Sequence, residues 1–447
     1  MTPESGRPWA RQLGSALGAR ALEAARLIAS RATDPGLVEA AVVLAAGQTR
    51  FPQSVHWDAM SLAQGNTGQA ILCAQLHDCF PEEGWDRLGH AHLTRSVAAI
   101  ERRGGAPPSI FTGLSGVALS AELLGRGRHY RSLSRTLDGR IALECLTESA
   151  AVRGRRGVPV SAFDLISGLS GVAAYLLPSV TERRVHPALP YVLRALVGLV
   201  LAPGRPPAWH TPPPLMYDEE QARIYPLGNL NCGLAHGIPG PLAIMALSSA
   251  RGVEVEGLAQ AIRALVRWLL SHRHDDAAGP NWPALIPLVD DGQGVTEGPA
   301  GECTRSAWCY GSPGIARALW LAGRALSEDE WCRTAVRTLE AVYRRPVHER
   351  RIGSPTLCHG VAGLLQVTLR FAHDTGLAIF RDAAVDLTEQ ILAHVDPNRP
   401  MGIAAVEPGG NLVDQPGLLD GAAGVALVLL SAATHREPAW DRVLALS

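Results

Sequence analysis

Aromatic residues make up only 5% of this 447-residue chain, and neither charge sign dominates: 41 basic against 42 acidic residues leave a formal net charge of −1. A surface so balanced offers no electrostatic footprint for nucleic acid or for an anionic membrane. Long apolar runs are missing as well. Stretches such as 424–433 fall far short of the ~20 residues that span a bilayer. The N-terminus, Met1-Thr2-Pro3-Glu4-Ser5, lacks the basic start and apolar core of a signal peptide. Eight cysteines in so long a chain make no disulfide framework. These absences predict a cytoplasmic, reduced protein whose thiols are open to a metal. The hydrophobic content of 47%, carried by Ala, Leu and Val, is ample for a core.

One pattern recurs along the chain: Gly-x-x-Gly followed by an apolar helical run. It stands at Gly65–Gly68, Gly113–Gly116, Gly168–Gly171, Gly237–Gly240, Gly311–Gly314, Gly360–Gly363 and Gly421–Gly424. A single glycine turn is common punctuation; seven, each feeding a run such as Val117-Ala118-Leu119 or Val425-Ala426-Leu427, form a repeat. Between them, residues 91–102, 130–148, 255–272, 328–344 and 377–394 space their apolar residues at three- and four-residue steps, with Arg and Glu between, as amphipathic helices do. The unit is therefore an outer amphipathic helix, a loop, a glycine turn and an inner, nearly all-apolar helix. Glycine permits close backbone approach and positive φ at such a turn. Strand signals are weak in the regular part.

Successive first glycines lie 48, 55, 69, 74, 49 and 61 residues apart, longer than the roughly 34–47 residues of common helical-hairpin repeats. These are hairpins with added loops. The length alone would suggest about three domains, but the repeat points to one helical domain over 1–447. Periodicity does not choose between an open solenoid and a closed ring; the apolar character of the inner helices, which need neighbours on all sides, favours closure. Residues 178–230 break the pattern with Pro203, Pro206, Pro207, Pro212, Pro213, Pro214 and Pro226. This stretch reads as an insertion, either a spacer or a substrate- or leader-binding subdomain, and 191–201 within it is either helix or strand.

Aligned on the first glycine, the third to sixth repeats carry reactive side chains at the same rim: Asp164; His236; Arg305 and Cys309; Cys358 and His359. Equivalent positions in a ring converge on a common centre. Cys309, Cys358 and His359 offer two thiolates and one imidazole, three soft zinc ligands that leave a tetrahedral ion one open position, as catalytic sites do. The positive end of each inner-helix dipole favours thiolate over thiol. Two thiolates and a neutral imidazole bring zinc to about zero net charge, which suits activation of an incoming thiol. A blander reading stands beside each residue. His236 can be a turn cap, Asp164 an N-cap, Arg305 a surface cation, Trp308 and Tyr310 core aromatics. Cys73, Cys79, Cys145, Cys232, Cys303 and Cys332 read as small buried hydrophobes, and Asp420, in the same slot of the last repeat, as a cap.

At these residues the chain resembles the lanthipeptide cyclases, the LanC or lanthionine synthetase C-like family. The resemblance is carried by Asn231-Cys232-Gly233-Leu234-Ala235-His236-Gly237-Ile238-Pro239-Gly240, Arg305-Ser306-Ala307-Trp308-Cys309-Tyr310-Gly311-Ser312-Pro313-Gly314, Leu357-Cys358-His359-Gly360-Val361-Ala362-Gly363 and Asp164-Leu165-Ile166-Ser167-Gly168. It implies an all-α fold, an α/α toroid of about seven inner and seven outer helices, with one zinc ion per chain bound by Cys309, Cys358 and His359. It further implies a reaction in which a peptide cysteine adds to dehydroalanine or dehydrobutyrine of a dehydrated precursor peptide, closing a thioether ring. His236 would be the general acid or base, Asp164 would orient it or join the proton transfers, and Arg305 would stabilise the enolate oxygen. A stand-alone cyclase would work with a separate dehydratase and a peptide transporter. Two alternatives remain: a LanC-like enzyme that adds glutathione to dehydrated residues, and a non-catalytic helical-repeat scaffold whose structural zinc takes Cys303 or His236 as fourth ligand.

Overall fold

The computed structural model describes residues 8–53, 56–179, 185–299, 301 and 303–447. They fall into two compact units. The first holds the described residues up to Ala106, with Gly116–Arg135 and Ile352–Trp440; the second holds Pro107–Ser115, Thr136–Arg351 and Asp441–Ser447.

Each of the seven glycine turns opens a helix. Asn66–Cys79, Val361–Thr375 and Ala422–Ala433 belong to the first unit, together with most of Leu114–Gly125; Leu169–Leu176, Pro239–Ala250 and Ser312–Leu326 belong to the second. The amphipathic partners are Ser15–Ala32, Trp85–Arg103 and Ala378–Leu392 in the first unit, Leu189–Leu201, Leu258–Ser271 and Asp329–Arg344 in the second, and Arg131–Val152. Asp329–Arg344 shows why such a segment is helical. It buries Thr334, Ala335, Thr338, Leu339, Ala341 and Val342, the stripe of a 3.6-residue period. Asp329 and Glu330 sit in its first turn and Arg344 in its last, complementing the macrodipole. Pro346 prevents further extension. Its buried stripe packs on Ser312–Leu326.

The inner helices need more company. All 12 residues of Ala422–Ala433 are buried. In the first unit this helix packs against Ser15–Ala32, Val361–Thr375 and Asn66–Cys79. The last repeat thus sits directly on the first, and the Leu418 and Leu419 N–H groups donate to the Ala63 carbonyl at 2.8 and 3.1 Å. An open solenoid would leave that flank of a nearly all-apolar helix in water.

The rim turns are joined by the same backbone hydrogen bond in neighbouring repeats. In the second unit Phe111 N donates to Ile166 O (3.4 Å), Leu165 N to Ala235 O (3.0 Å) and Ala235 N to Cys309 O (3.2 Å). In the first, Leu357 N and Cys358 N both donate to Leu419 O at 3.1 and 2.8 Å. In several turns the second glycine accepts the packing this brings. A Cβ on Gly314 would stand 2.4 Å from Trp308 O and 2.7 Å from Leu234 Cβ; Gly171 against Ile110 and Gly424 against Leu357 repeat the contact. The expectation of positive φ holds for Gly311 among the first glycines, at 105°.

The strands lie in the loops between helices. Asn229–Asn231 pairs antiparallel with Leu285–Asp290, which pairs with Val295–Glu297; His274–Asp276 pairs with Gly279–Asn281, and Ala405–Val406 with Leu412–Val413. Within 178–230, the run left open as helix or strand is the helix Leu189–Leu201, packed on Leu258–Ser271. The proline-rich remainder includes a short helix Glu219–Ile224 capped by Asp218; residues 180–184 lie outside the described residues. Among the described residues no helix is long and apolar enough to cross a membrane.

Candidate active site

In the second unit the structure joins Asp164 to His236. Phe163 and Leu165 are fully buried and pin the backbone on either side of Asp164, itself 1% exposed. Its Oδ1 accepts hydrogen bonds from Ser167 N and Gly168 N, both at 2.7 Å. Its Oδ2 stands 2.6 Å from His236 Nδ1. Capping the turn and facing the histidine are thus simultaneous roles of two oxygens. With Nδ1–H donated to the carboxylate, Nε2 is the His236 nitrogen left for proton transfer, and the imidazole is partly open to solvent.

Cys309 and Tyr310 lie on the next turn. Cys309 is buried, with its carbonyl held by Ala235 N. The Tyr310 ring is 6.4 Å from the His236 ring, and its hydroxyl accepts from Asn231 Nδ2 at 3.0 Å. Asn231 Oδ1 in turn accepts from Gly233 N at 2.9 Å. A Cβ on Gly233 would meet the Tyr310 ring at 2.6 Å, so glycine there makes room for the phenol. Asn231 belongs to this group although sequence reading passed it over; its place inside the His236 turn was the available signal. Trp308 is a core aromatic, fully buried with Nε1 donating to Leu444 O at 3.0 Å. Arg305 is exposed and forms no ion pair among the described residues.

In the first unit the donor atoms of Cys358, His359 and Asp420 lie within 4.8 Å of one another. His359 Nδ1 stands 3.2 Å from Asp420 Oδ1. This corrects the expectation that Asp420 is a cap: the residue capping Ala422–Ala433 is Gly421, and no side chain caps that helix. The cause is the double hydrogen bond from Leu357 N and Cys358 N to Leu419 O, which fixes Asp420 beside the neighbouring turn. The signal was present, since His236, His359 and Asp420 all stand one residue before a first glycine.

Of the remaining thiols, Cys73, Cys145 and Cys232 are buried packing groups as expected, whereas Cys79, Cys303 and Cys332 are only half-buried. Burial pushes the Cys232 and Cys73 thiols far above their usual range, and Cys145 up to about 12, with Glu148 and Glu144 adding to it. Cys303 is raised first by burial and then by the Asp276 charge, and its backbone bridges to Pro283.

With this geometry in place, comparison with known proteins is informative. The sequence profile of the lanthionine synthetase C-like protein family matches residues 56–445. The chain therefore belongs to the lanthionine synthetase C-like family, a class of thioether-forming cyclases. It is 24% identical over 313 residues to the nisin biosynthesis protein NisC of Lactococcus lactis subsp. lactis, a match covering 70% of this chain and 73% of that protein. A solved nisin cyclase structure superposes with a TM-score of 0.74 at 21% identity, covering 92% of this chain and 97% of the other. A likeness at that identity shows the fold, which is the all-α toroid expected from the sequence.

Proposed function

We propose that the protein is a zinc-dependent cyclase that adds cysteine thiols of a dehydrated precursor peptide to dehydroalanine or dehydrobutyrine. The observation that carries this reading is the gathering of Cys358, His359 and Asp420 at the rim of a family member. A thiol and an imidazole are donor types zinc takes, so Cys358 and His359 fit the ion. Cys309, Cys358 and His359 would hold it, and when bound it supplies Lewis-acid stabilisation of a peptide thiolate.

The protein's own groups account for the proton. Addition breaks the thiol S–H bond and the C=C π bond and forms a C–S bond and a Cα–H bond, so one proton must leave sulfur and one must reach Cα. His236 Nε2 is the group proposed to take and return it, because Nδ1 is held by Asp164. Asp164, by holding Nδ1, would fix the tautomer. Arg305, a guanidinium with no carboxylate partner among the described residues, is proposed to face the enolate oxygen. A separate dehydratase would supply the substrate, and a peptide transporter would take the product onward.

Elemental analysis of reduced, zinc-replete protein tests the metal. About one zinc per chain is expected, lost in Cys358→Ala and Cys309→Ala. Wild-type protein without zinc would sink the mechanism.

A further inference from the structure

We propose that Asp420 is a positioning residue for the metal ligand His359: its carboxylate engages Nδ1, so that Nε2 is the nitrogen presented to zinc. This rests on the zinc reading above and extends it to a residue outside the proposed ligand set.

Asp420 Oδ1 lies 3.2 Å from His359 Nδ1, at ion-pair distance. The contact is preset by backbone, because Leu419 O accepts from both Leu357 N and Cys358 N. The residues flanking Asp420 and His359 are thereby fastened together, whatever their side chains do. The second unit contains a related pair, there joined by a hydrogen bond. There His236 Nδ1 faces Asp164 at 2.6 Å, and the backbones beside them are joined by Leu165 N to Ala235 O. In both cases a histidine one residue before a first glycine meets a carboxylate from an adjacent repeat, through Nδ1. One pair would serve proton transfer and the other metal binding, each using the Nε2 the carboxylate leaves over. A carboxylate behind a metal-ligating histidine fixes its tautomer and ring orientation and raises its basicity.

Charge argues against Asp420 as a direct ligand. Two thiolates and a neutral imidazole already neutralise Zn²⁺, and an inner carboxylate would make the centre anionic and fill the position an incoming thiol needs.

The test is equilibrium binding of Zn²⁺ and Co²⁺ to the metal-free full-length protein, by competition with a chromophoric chelator. Wild type is compared with Asp420→Asn, Asp420→Ala and Cys358→Ala. Asn can still accept from Nδ1–H, so its affinity should stay within about threefold of wild type, while Ala should bind about 10–100-fold more weakly. The cobalt d–d bands should keep their four-coordinate intensity in both. Wild-type affinity in Asp420→Ala overturns the proposal. So does an equal loss in Asn and Ala with altered d–d bands, which would make Asp420 a ligand. Wild-type protein that takes up no metal sensitive to Cys358→Ala removes the zinc reading itself, a result distinct from either.

Discussion

Asp164 divides its two oxygens between backbone and imidazole, and that division makes its roles separable by substitution. Asp164→Asn can keep the Oδ1 contacts to Ser167 N and Gly168 N but turns an amide N–H₂ toward His236 Nδ1, which moves the ring proton to Nε2 and removes the base. Cyclisation should fall by ~10²–10⁴ in kcat with melting close to wild type. Asp164→Ala should lose activity similarly and also about 1–3 kcal/mol of stability, since two buried N–H groups go unpaired. Single-turnover kinetics beside thermal melts check both. Equal activity in Asp164→Asn and wild type would remove Asp164 from the chemistry. At this scale the sequence singled out Cys358 and His359, rare residue types at a constrained spacing, and the structure brings them together with Asp420. For Asp420 and Asn231 the signal was only their position beside a first glycine and inside the His236 turn, because their neighbours depend on which turn lies next to theirs in space.

Among the elements, the inner helices were legible because seven glycine turns announce them. The packing reason is testable at Gly314. A methyl there meets Trp308 O and Leu234 Cβ, so Gly314→Ala should cost roughly 1–3 kcal/mol, read by chemical denaturation; an unchanged midpoint would show that the turn can relax. The hairpins at 274–297 were not legible. Their strands are short, and the alternation in Leu285–Asp290 is diluted by Pro287. One side-chain group ties the outer hairpin to the helix Leu258–Ser271. His272 Nε2 lies 3.0 Å from Glu297 Oε2, Nδ1 donates to Trp268 O at 2.8 Å, and Trp268 Nε1 donates to Glu297 Oε1 at 3.0 Å. Burial pulls the His272 pKa down, but the Glu297 hydrogen bond, the Trp268 carbonyl and the Glu297 charge outweigh it, and the net shift is upward. Burial pushes Glu297 up, and the hydrogen bonds from His272 and Trp268 with the His272 charge bring it below its usual value. The His272 contribution is full below its unfolded pKa of 6.5 and fades as pH rises through the raised value. The Glu297 contribution is full above 4.5 and fades as pH falls through the lowered value. His272→Gln should therefore cost about 1 kcal/mol near pH 6 and clearly less near pH 9. Melting at the two pH values reads this, and a pH-independent difference would contradict it.

For the whole molecule, the class of fold followed from the repeat, and ring over solenoid followed from the apolar inner helices. The seam itself was not visible. Ser15–Ala32 was not picked out as a partner of Ala422–Ala433, because contact between residues so far apart in sequence leaves no periodic trace. Functionally, the chain distributes its reactive groups over two units: Asp164, His236, Arg305 and Cys309 in one, Cys358, His359 and Asp420 in the other. The proposed function requires both sets, so removing a member of either should abolish the same activity. The most direct measurement is thiol labelling of a dehydrated, cysteine-containing peptide incubated with the zinc-loaded protein. Thioether closure leaves mass unchanged, so maleimide uptake by mass spectrometry counts the cysteines still free. Wild type should remove the label-reactive thiols, while His236→Ala and Cys358→Ala should leave them at the level of peptide alone. Full labelling after incubation with zinc-replete wild type, using a peptide that cyclises under base, would contradict thioether formation as the function of this chain.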